Sequence, residues 1–323
     1  MEKQISVIIP TYQRPDLLYK CLHALDLQVI DHQLFEVIVV SDGPDAATQF
    51  CVDNCRSEFS FDLLYKPLPK KAGPAAARNL GWQHANADLI AFTDDDTLPE
   101  PIWLKAVLQS YQGEEYIAYS GRVIVPLPEN PTDYELNTAG LETAEFITAN
   151  CACTKKALEL VEGFDERFRM AWREDSDLEF KLLLNNVPIH KLHEAVIIHP
   201  VRKAPFGVSI KEQKKGMFNA LLFKKYPSLY REKIQPHPVW NYYAMLGLVC
   251  TGLLGILEGS ELVAYVAFGG FTMLWLQFLR KRLQRTSHST AHILEMAYTS
   301  LVIPFVSVYW QIYGAIKYRV YFL

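Results

Sequence analysis

Net charge is nearly absent from this sequence. Its 323 residues carry 32 Lys and Arg against 36 Asp and Glu, a formal charge of −4. No global basic field exists to hold a nucleic acid, and none is expected as a partner. Cysteine is present but unorganised: Cys21, Cys51, Cys55, Cys151, Cys153 and Cys250 are scattered through apolar stretches. Cys51 and Cys55 can share a helix face, and Cys151 and Cys153 a strand face, but neither pair comes with the second pair or the histidines that a zinc site needs. Reduced thiols in a cytosolic domain are expected. No secretory leader is expected either, because Ile5–Ile9 is too short for one and runs straight into Pro10. No lysine-bearing glycine-rich phosphate loop follows that first apolar run, which weighs against nucleotidyl transfer.

Charge is missing locally as well. Val239–Leu257, Leu262–Leu279 and Met296–Ile316 contain no charged residue at all. Each approaches the ~20 residues needed to cross a hydrocarbon core. A soluble helix rarely stays apolar all round for so long, so a membrane region is expected, with buried helices of a soluble core or an oligomer as the alternative. Arg280, Lys281, Arg282 and Arg285 follow the second segment, whereas the turn between the first two carries Glu258 and Glu261. The positive-inside bias then puts the basic loop and everything N-terminal on the cytoplasmic side of a cell membrane. The third segment would leave Lys317 and Arg319 outside, and its Tyr298, Tyr309, Trp310, Tyr313 and Tyr318 suit an interfacial position, so its topology stays open.

The first two thirds read differently. Ile5–Pro10 is a buried strand, and Pro15 stands where a helix starts, with Leu17, Leu18, Cys21, Leu22 and Leu25 at helical spacing. Phe35–Val40 is a second strand, Phe61–Tyr65 a third, and Asp88–Thr93 a fourth, with a helix opened by Gly73-Pro74 before the last. This β-α-β-α order predicts an α/β fold, a parallel sheet with helices on both faces. Ligands of such sheets bind beyond the carboxyl ends of the strands. Thr11 and Arg14, Asp42, and the run Asp94-Asp95-Asp96 all fall there. Three adjacent carboxylates repel one another and are best tolerated beside a cation. On an extended backbone Asp94 and Asp96 point the same way, and hard oxygen ligands suit Mg²⁺ or Mn²⁺. The alternative is a solvated acidic turn.

Four blocks in order, Ser6-Val7-Ile8-Ile9-Pro10-Thr11-Tyr12-Gln13-Arg14, Val37-Ile38-Val39-Val40-Ser41-Asp42-Gly43, Gly73-Pro74-Ala75-Ala76-Ala77-Arg78-Asn79 and Ala91-Phe92-Thr93-Asp94-Asp95-Asp96, resemble the signature of the family-2 glycosyltransferases. The resemblance covers roughly residues 4–200. It implies the GT-A nucleotide-diphospho-sugar transferase fold, a Rossmann-like mixed sheet with helices on both faces, and a nucleotide-sugar donor. By that resemblance Pro10, Thr11, Arg14, Asp42 and Arg78 belong to the donor site, Asp94 faces the ribose, and Asp96 holds a metal on the diphosphate. Three aspartates stand where the family often has a spacer, so Asp95 and Asp96 can exchange roles.

Further on, Phe146–Asn150 resembles the strand approaching the acceptor, with Asn150 as a substrate contact. Gly163–Phe168 followed by Trp172-Arg173-Glu174-Asp175 resembles the stretch leading to the catalytic carboxylate, which makes Asp175 the general base and Glu174 its neighbour on the substrate side. The chemistry needs such a base, because an acceptor hydroxyl must lose its proton as it attacks the anomeric carbon. A plain acidic helix N-terminus reads the same way, since Leu178-Glu179-Phe180 continues helically. His199, closing an apolar strand, is either a structural histidine or a metal ligand. The processive synthases' Gln-x-x-Arg-Trp block is not found, so the resemblance points to transfer of one or few sugars, from a UDP-sugar first of all, to a glycan or lipid-linked acceptor in envelope glycan synthesis. A catalytically silent GT-A domain that binds nucleotide-sugar or a partner is the alternative.

The stretch 209–226 mixes Lys211, Lys214, Lys215, Lys224 and Lys225 with Met217, Phe218, Leu221 and Leu222, the composition of a helix lying on membrane lipid. The expected division is a GT-A domain over 1–232 and a membrane region over 233–323, with oligomerisation open.

Overall fold

The computed structural model describes residues 2–322. It separates into two compact units, one built from residues up to 126 together with 139–201, the other from 127–138 together with residues from 202 onward. The chain therefore divides some thirty residues earlier than composition indicates, and a twelve-residue excursion, 127–138, leaves the first unit for the second.

In chain order the first unit runs β1 (Ile5–Thr11), α1 (Pro15–Asp26), β2 (Phe35–Ser41), α2 (Ala46–Glu58), β3 (Asp62–Pro67), α3 (Pro74–Gln83), β4 (Leu89–Thr93), β5 (Leu98–Pro99), α4 (Trp103–Ser110) and β6 (Ala118–Ile124). Helix α5 (Asp133–Ala139) lies almost wholly in the excursion, and β7 (Asn150–Thr154), α6 (Lys155–Leu160), α7 (Glu174–Leu184) and β8 (Ile189–Ile198) complete the unit. The eight strands form one sheet in the order β3-β2-β1-β4-β7-β6-β8-β5. Strands β3, β2, β1 and β4 are parallel, whereas β7 runs antiparallel to both β4 and β6. The sheet is mixed, with a parallel half.

Every residue of β1, β2 and β4 is buried, so these strands read as unbroken apolar runs without alternation. The pleat still sorts them: Val7, Val37 and Leu89 join the core beneath α1 and α2, while Ile8, Ile38 and Ile90 join that beneath α3. Each such side chain contributes ~1.5–3 kcal/mol on burial. Phe146–Ala149, expected as strand, forms a turn, and the strand begins only at Asn150, which pairs with Thr93.

The second unit is helical: α8 (Val208–Glu212), a 3-10 turn at Gln213–Gly216, α9 (Met217–Lys225), α10 (Pro227–Leu229), α11 (Trp240–Leu257), α12 (Glu261–Leu283) and α13 (Thr290–Tyr318). The basic stretch is thus three short pieces, and Met217, Phe218, Leu221 and Leu222 are buried, with α9 packed against α13. That packing is close, since a Cβ on Gly314 would stand 2.5 Å from the Met217 carbonyl oxygen. Helices α11, α12 and α13 are long and apolar enough to cross a membrane. The most apolar windows of α11 and α12 are only 17% and 11% buried, against 44% for α13. So much exposed apolar surface suggests membrane association.

Candidate active site

The carboxyl ends of β1, β2 and β4 present Thr11, Asp42 and Asp94 side by side, because the three strands are parallel and in register. Beyond β4 the chain turns at once, with the Thr97 N–H donating to the Asp94 carbonyl at 3.2 Å. That turn sends the three aspartates in different directions.

Asp95 points inward. Its carboxylate accepts from the Thr11 hydroxyl at 2.6 Å and pairs with Arg14 at 3.0 Å. Burial pushes its carboxyl up from 3.8 to about 7, with Arg14 and the Thr11 hydrogen bond opposing. Asp94 and Asp96 instead converge with His199, which follows β8. One ligand atom from each of the three lies within 4.8 Å of the others. His199 Nε2 is 3.7 Å from Asp96, and its Nδ1 is buried without a hydrogen-bond partner among the described residues. Two carboxylates and an imidazole with an orphaned nitrogen suit a divalent cation of the Mg²⁺ and Mn²⁺ kind, with imidazole favouring the transition metal. Arg14 also reaches Asp96, at 3.6 Å.

Arg78 sits behind this cluster. It comes from α3, whose N-terminus depends on Gly73 at a φ of +106°. A Cβ there would lie 2.7 Å from the Arg169 carbonyl oxygen, so only glycine fits. The Asp42 carboxylate accepts from the Ala72 and Gly73 N–H groups at 2.7 and 2.8 Å, fixing the entry to that helix. Lys71, in the same loop, stands 3.8 Å from the ring centroid of Tyr12. Sequence reasoning did not single out this cation–ring pair, although the basic Lys70-Lys71 before Gly73 was a visible signal. Arg78 itself is buried, donating to Asp94 at 2.7 Å and to Glu174 at 3.2 Å. Burial works against its charge, but Asp94 and Glu174 outweigh it and raise its pKa.

Glu174 and Asp175 open α7, after Arg173 in the left-handed region at φ +75°. Burial, aided by the neighbouring Asp175, pushes the Glu174 carboxyl from 4.5 up to about 7 against the pull of Arg78. Glu174 Oε2 and Arg78 Nε are buried without hydrogen-bond partners among the described residues, a cost of ~1–3 kcal/mol each. Asp175 is half-buried and accepts from the Ser176 N–H at 2.7 Å. Asp177 is fully buried and lies 3.6 Å from Lys181.

The structure thus brings Thr11, Arg14, Arg78, Asp94, Asp95, Asp96, Glu174 and His199 into one connected polar network, with Asp175 next to Glu174. Pro10 contributes buried strand backbone to β1, and Asp42 holds the neighbouring loop. Asn150 stands outside that set. Its amide is spent inside the sheet, accepting from Trp103 Nε1 and donating to the Arg122 and Ala195 carbonyls, all at 2.8 Å. Both amide hydrogens are used and the side chain is buried at the start of β7, which speaks against the expected substrate contact.

Comparison with known proteins gives the family and the fold. The glycosyl transferase family 2 model matches residues 6–169. Glycosyltransferase AglE of Haloferax volcanii is 25% identical over 224 residues, 65% of this chain and 70% of that protein. Validoxylamine A glucosyltransferase of Streptomyces hygroscopicus subsp. limoneus is 27% identical over 272 residues, 71% of this chain and 58% of that one. The mannosyltransferase PcManGT of Pyrobaculum calidifontis, solved with GDP-Man and Mn²⁺, superposes with a TM-score of 0.60 at 18% identity, covering 93% of this chain and 88% of that one. S. aureus TarS 1-349 in complex with UDP gives 0.52 at 15%, covering 99% and 93%. The fold is GT-A, and the chain belongs to glycosyltransferase family 2.

Proposed function

We propose that this enzyme is an inverting, metal-dependent transferase that moves one or few sugars from a nucleotide-diphosphate donor, a UDP-sugar first of all, to a hydroxyl of a glycan or lipid-linked acceptor at the cytoplasmic face of a cell membrane. One observation carries the reading: the ligand set Asp94, Asp96 and His199 is joined through Arg78 to Glu174, the residue before the proposed base. The fold neighbour solved with GDP-Man and Mn²⁺ supports the same choice of cofactor and donor class.

Asp94, Asp96 and His199 would hold Mn²⁺ or Mg²⁺, which would supply positive charge for the departing diphosphate. Arg14, paired with Asp95 and Asp96 yet one-third exposed, adds a cation at the same edge. The Asp42 loop, with Lys71 on Tyr12, is the natural seat for the nucleoside. Asp175, at the start of α7 and open to solvent on one side, takes the proton of the attacking hydroxyl. Direct attack opposite the leaving group inverts the anomeric centre. The apolar helices suit an acceptor held at a membrane, and the basic end of α12 supports a cytoplasmic catalytic unit.

Membranes carrying the full-length protein, incubated with a panel of UDP- and GDP-sugars and Mn²⁺ or Mg²⁺, test this reading. One donor should be consumed well above the rest, with its sugar appearing in a membrane glycan. Tight donor binding with neither hydrolysis nor transfer would instead establish a silent binding module.

A further inference from the structure

A cavity of about 700 Å³ lies wholly inside the second unit. It is shaped by the first turns of α11, the last turns of α12 and the excursion helix α5. The start of α11 and the end of α12 are the same end of one helical hairpin, opposite the turn that carries Glu258 and Glu261. With α11 and α12 spanning a membrane, the cavity would sit where the hydrocarbon layer gives way to water, on the side with the basic residues.

Its lining changes character along α12. Leu274, with Met245 of α11, forms an apolar end, Phe278 follows one turn on beside Arg282, and Lys281 lies about 10 Å beyond Leu274 at ~1.5 Å per residue. Two cations and one carboxylate line it. Arg282 is buried in the wall and neutralised there: Nη2 donates to Asp133 at 2.7 Å, and Nη1 donates to Thr299 at 2.6 Å and to Ser300 at 3.2 Å. The charge left over is that of Lys281, exposed and without an ion-pair partner among the described residues. The carboxamides of Asn241, Gln277 and Gln284 line the same cavity, groups that donate and accept hydrogen bonds.

We propose that this cavity binds the head group and upper chain of a monoanionic phospholipid whose head carries hydroxyls. One uncompensated ammonium matches one phosphodiester charge, the carboxamides match hydroxyl groups, and the apolar end matches the first carbons of an acyl chain. The volume falls within the ~300–1,000 Å³ of small-molecule sites. A soluble phosphate shares the head-group chemistry but would leave the apolar end unused. The inference rests on the membrane placement of these helices and not on the transfer reaction.

The test uses full-length protein, delipidated in an uncharged detergent and titrated by native mass spectrometry with dioleoyl phosphatidylglycerol, dioleoyl phosphatidylcholine and glycerol 3-phosphate. Phosphatidylglycerol should bind in preference to the other two. Lys281→Gln should weaken it about five-fold, the worth of one lysine near an anionic head group. Leu274→Trp, which fills the apolar end without altering charge, should abolish the preference. Lys281→Gln is a surface change that leaves the fold intact, so its result stands even where Leu274→Trp misfolds. Equal binding of both phospholipids, unchanged phosphatidylglycerol affinity in Lys281→Gln, or glycerol 3-phosphate binding as tightly as the lipid would each overturn the proposal. No donor sugar is present in this experiment, so its failure and that of the transferase reading are separate results.

Discussion

Arg78 and Glu174 stand 96 residues apart in the chain and share a buried 3.2 Å ion pair, while the same guanidinium holds Asp94 at 2.7 Å. One side chain therefore couples the proposed metal-binding end of β4 to the helix that carries the proposed base. Truncating it leaves two carboxylates facing each other with the charge between them gone. Arg78→Ala is expected to cost ~3–5 kcal/mol, the range for breaking a buried pair from one side. Thermal and urea melts of the full-length protein in detergent measure this. Arg78→Met combined with Glu174→Gln should recover part of the loss, because it removes the orphaned charge with the bond.

The raised pKa of Glu174 has a definite sign. With its carboxyl lifted from 4.5 to about 7, the folded protein binds a proton between those values that the unfolded chain has released. Stability from this group is therefore highest at and below about pH 4.5 and falls as pH rises towards 7. Asp95, lifted from 3.8 to about 7, adds a slope of the same sign. Melts from pH 5 to 7.5 should show Glu174→Gln flattening the decline without removing it. Parallel curves for parent and variant would mean that Glu174 titrates normally.

Metal removal gives the third expectation. EDTA should abolish transfer, and Mn²⁺ or Mg²⁺ should restore it. Electron paramagnetic resonance of added Mn²⁺ should show binding lost in Asp96→Ala and weakened about ten-fold in His199→Ala, the factor for ~1.4 kcal/mol. Undiminished transfer in chelator would move the work of charge stabilisation to Arg14 and its neighbours.

Much of this arrangement was legible in the sequence. The strands β1, β2 and β4 announce themselves as apolar runs because both faces of the sheet are covered. The residues at their carboxyl ends follow from the parallel order. Asp94 and Asp96 converge as their spacing of two indicates, although through a turn and not an extended strand. What was hidden depends on long-range packing. Arg78 shows nothing in the sequence of its two carboxylate partners, and Asn150 is taken up by Trp103, Arg122 and Ala195, which come from three other elements. Arg282, in a basic cluster that reads as a solvated loop, proves to be a buried residue of α12 tied to Asp133, a pairing that depends on the excursion 127–138.

The most direct test of the account is a pair of measurements on Asp175→Asn. The amide keeps the shape of the carboxylate and removes its basicity. The proposed donor site lies at the carboxyl ends of β1, β2 and β4 and does not include Asp175, so calorimetric titration with nucleotide-sugar and Mn²⁺ should give nearly the parental affinity. Transfer to acceptor should fall by ~10²–10⁴, the usual contribution of a positioned base. Transfer at the parental rate by Asp175→Asn would contradict the account and send the search for the base to Glu174 and Asp177.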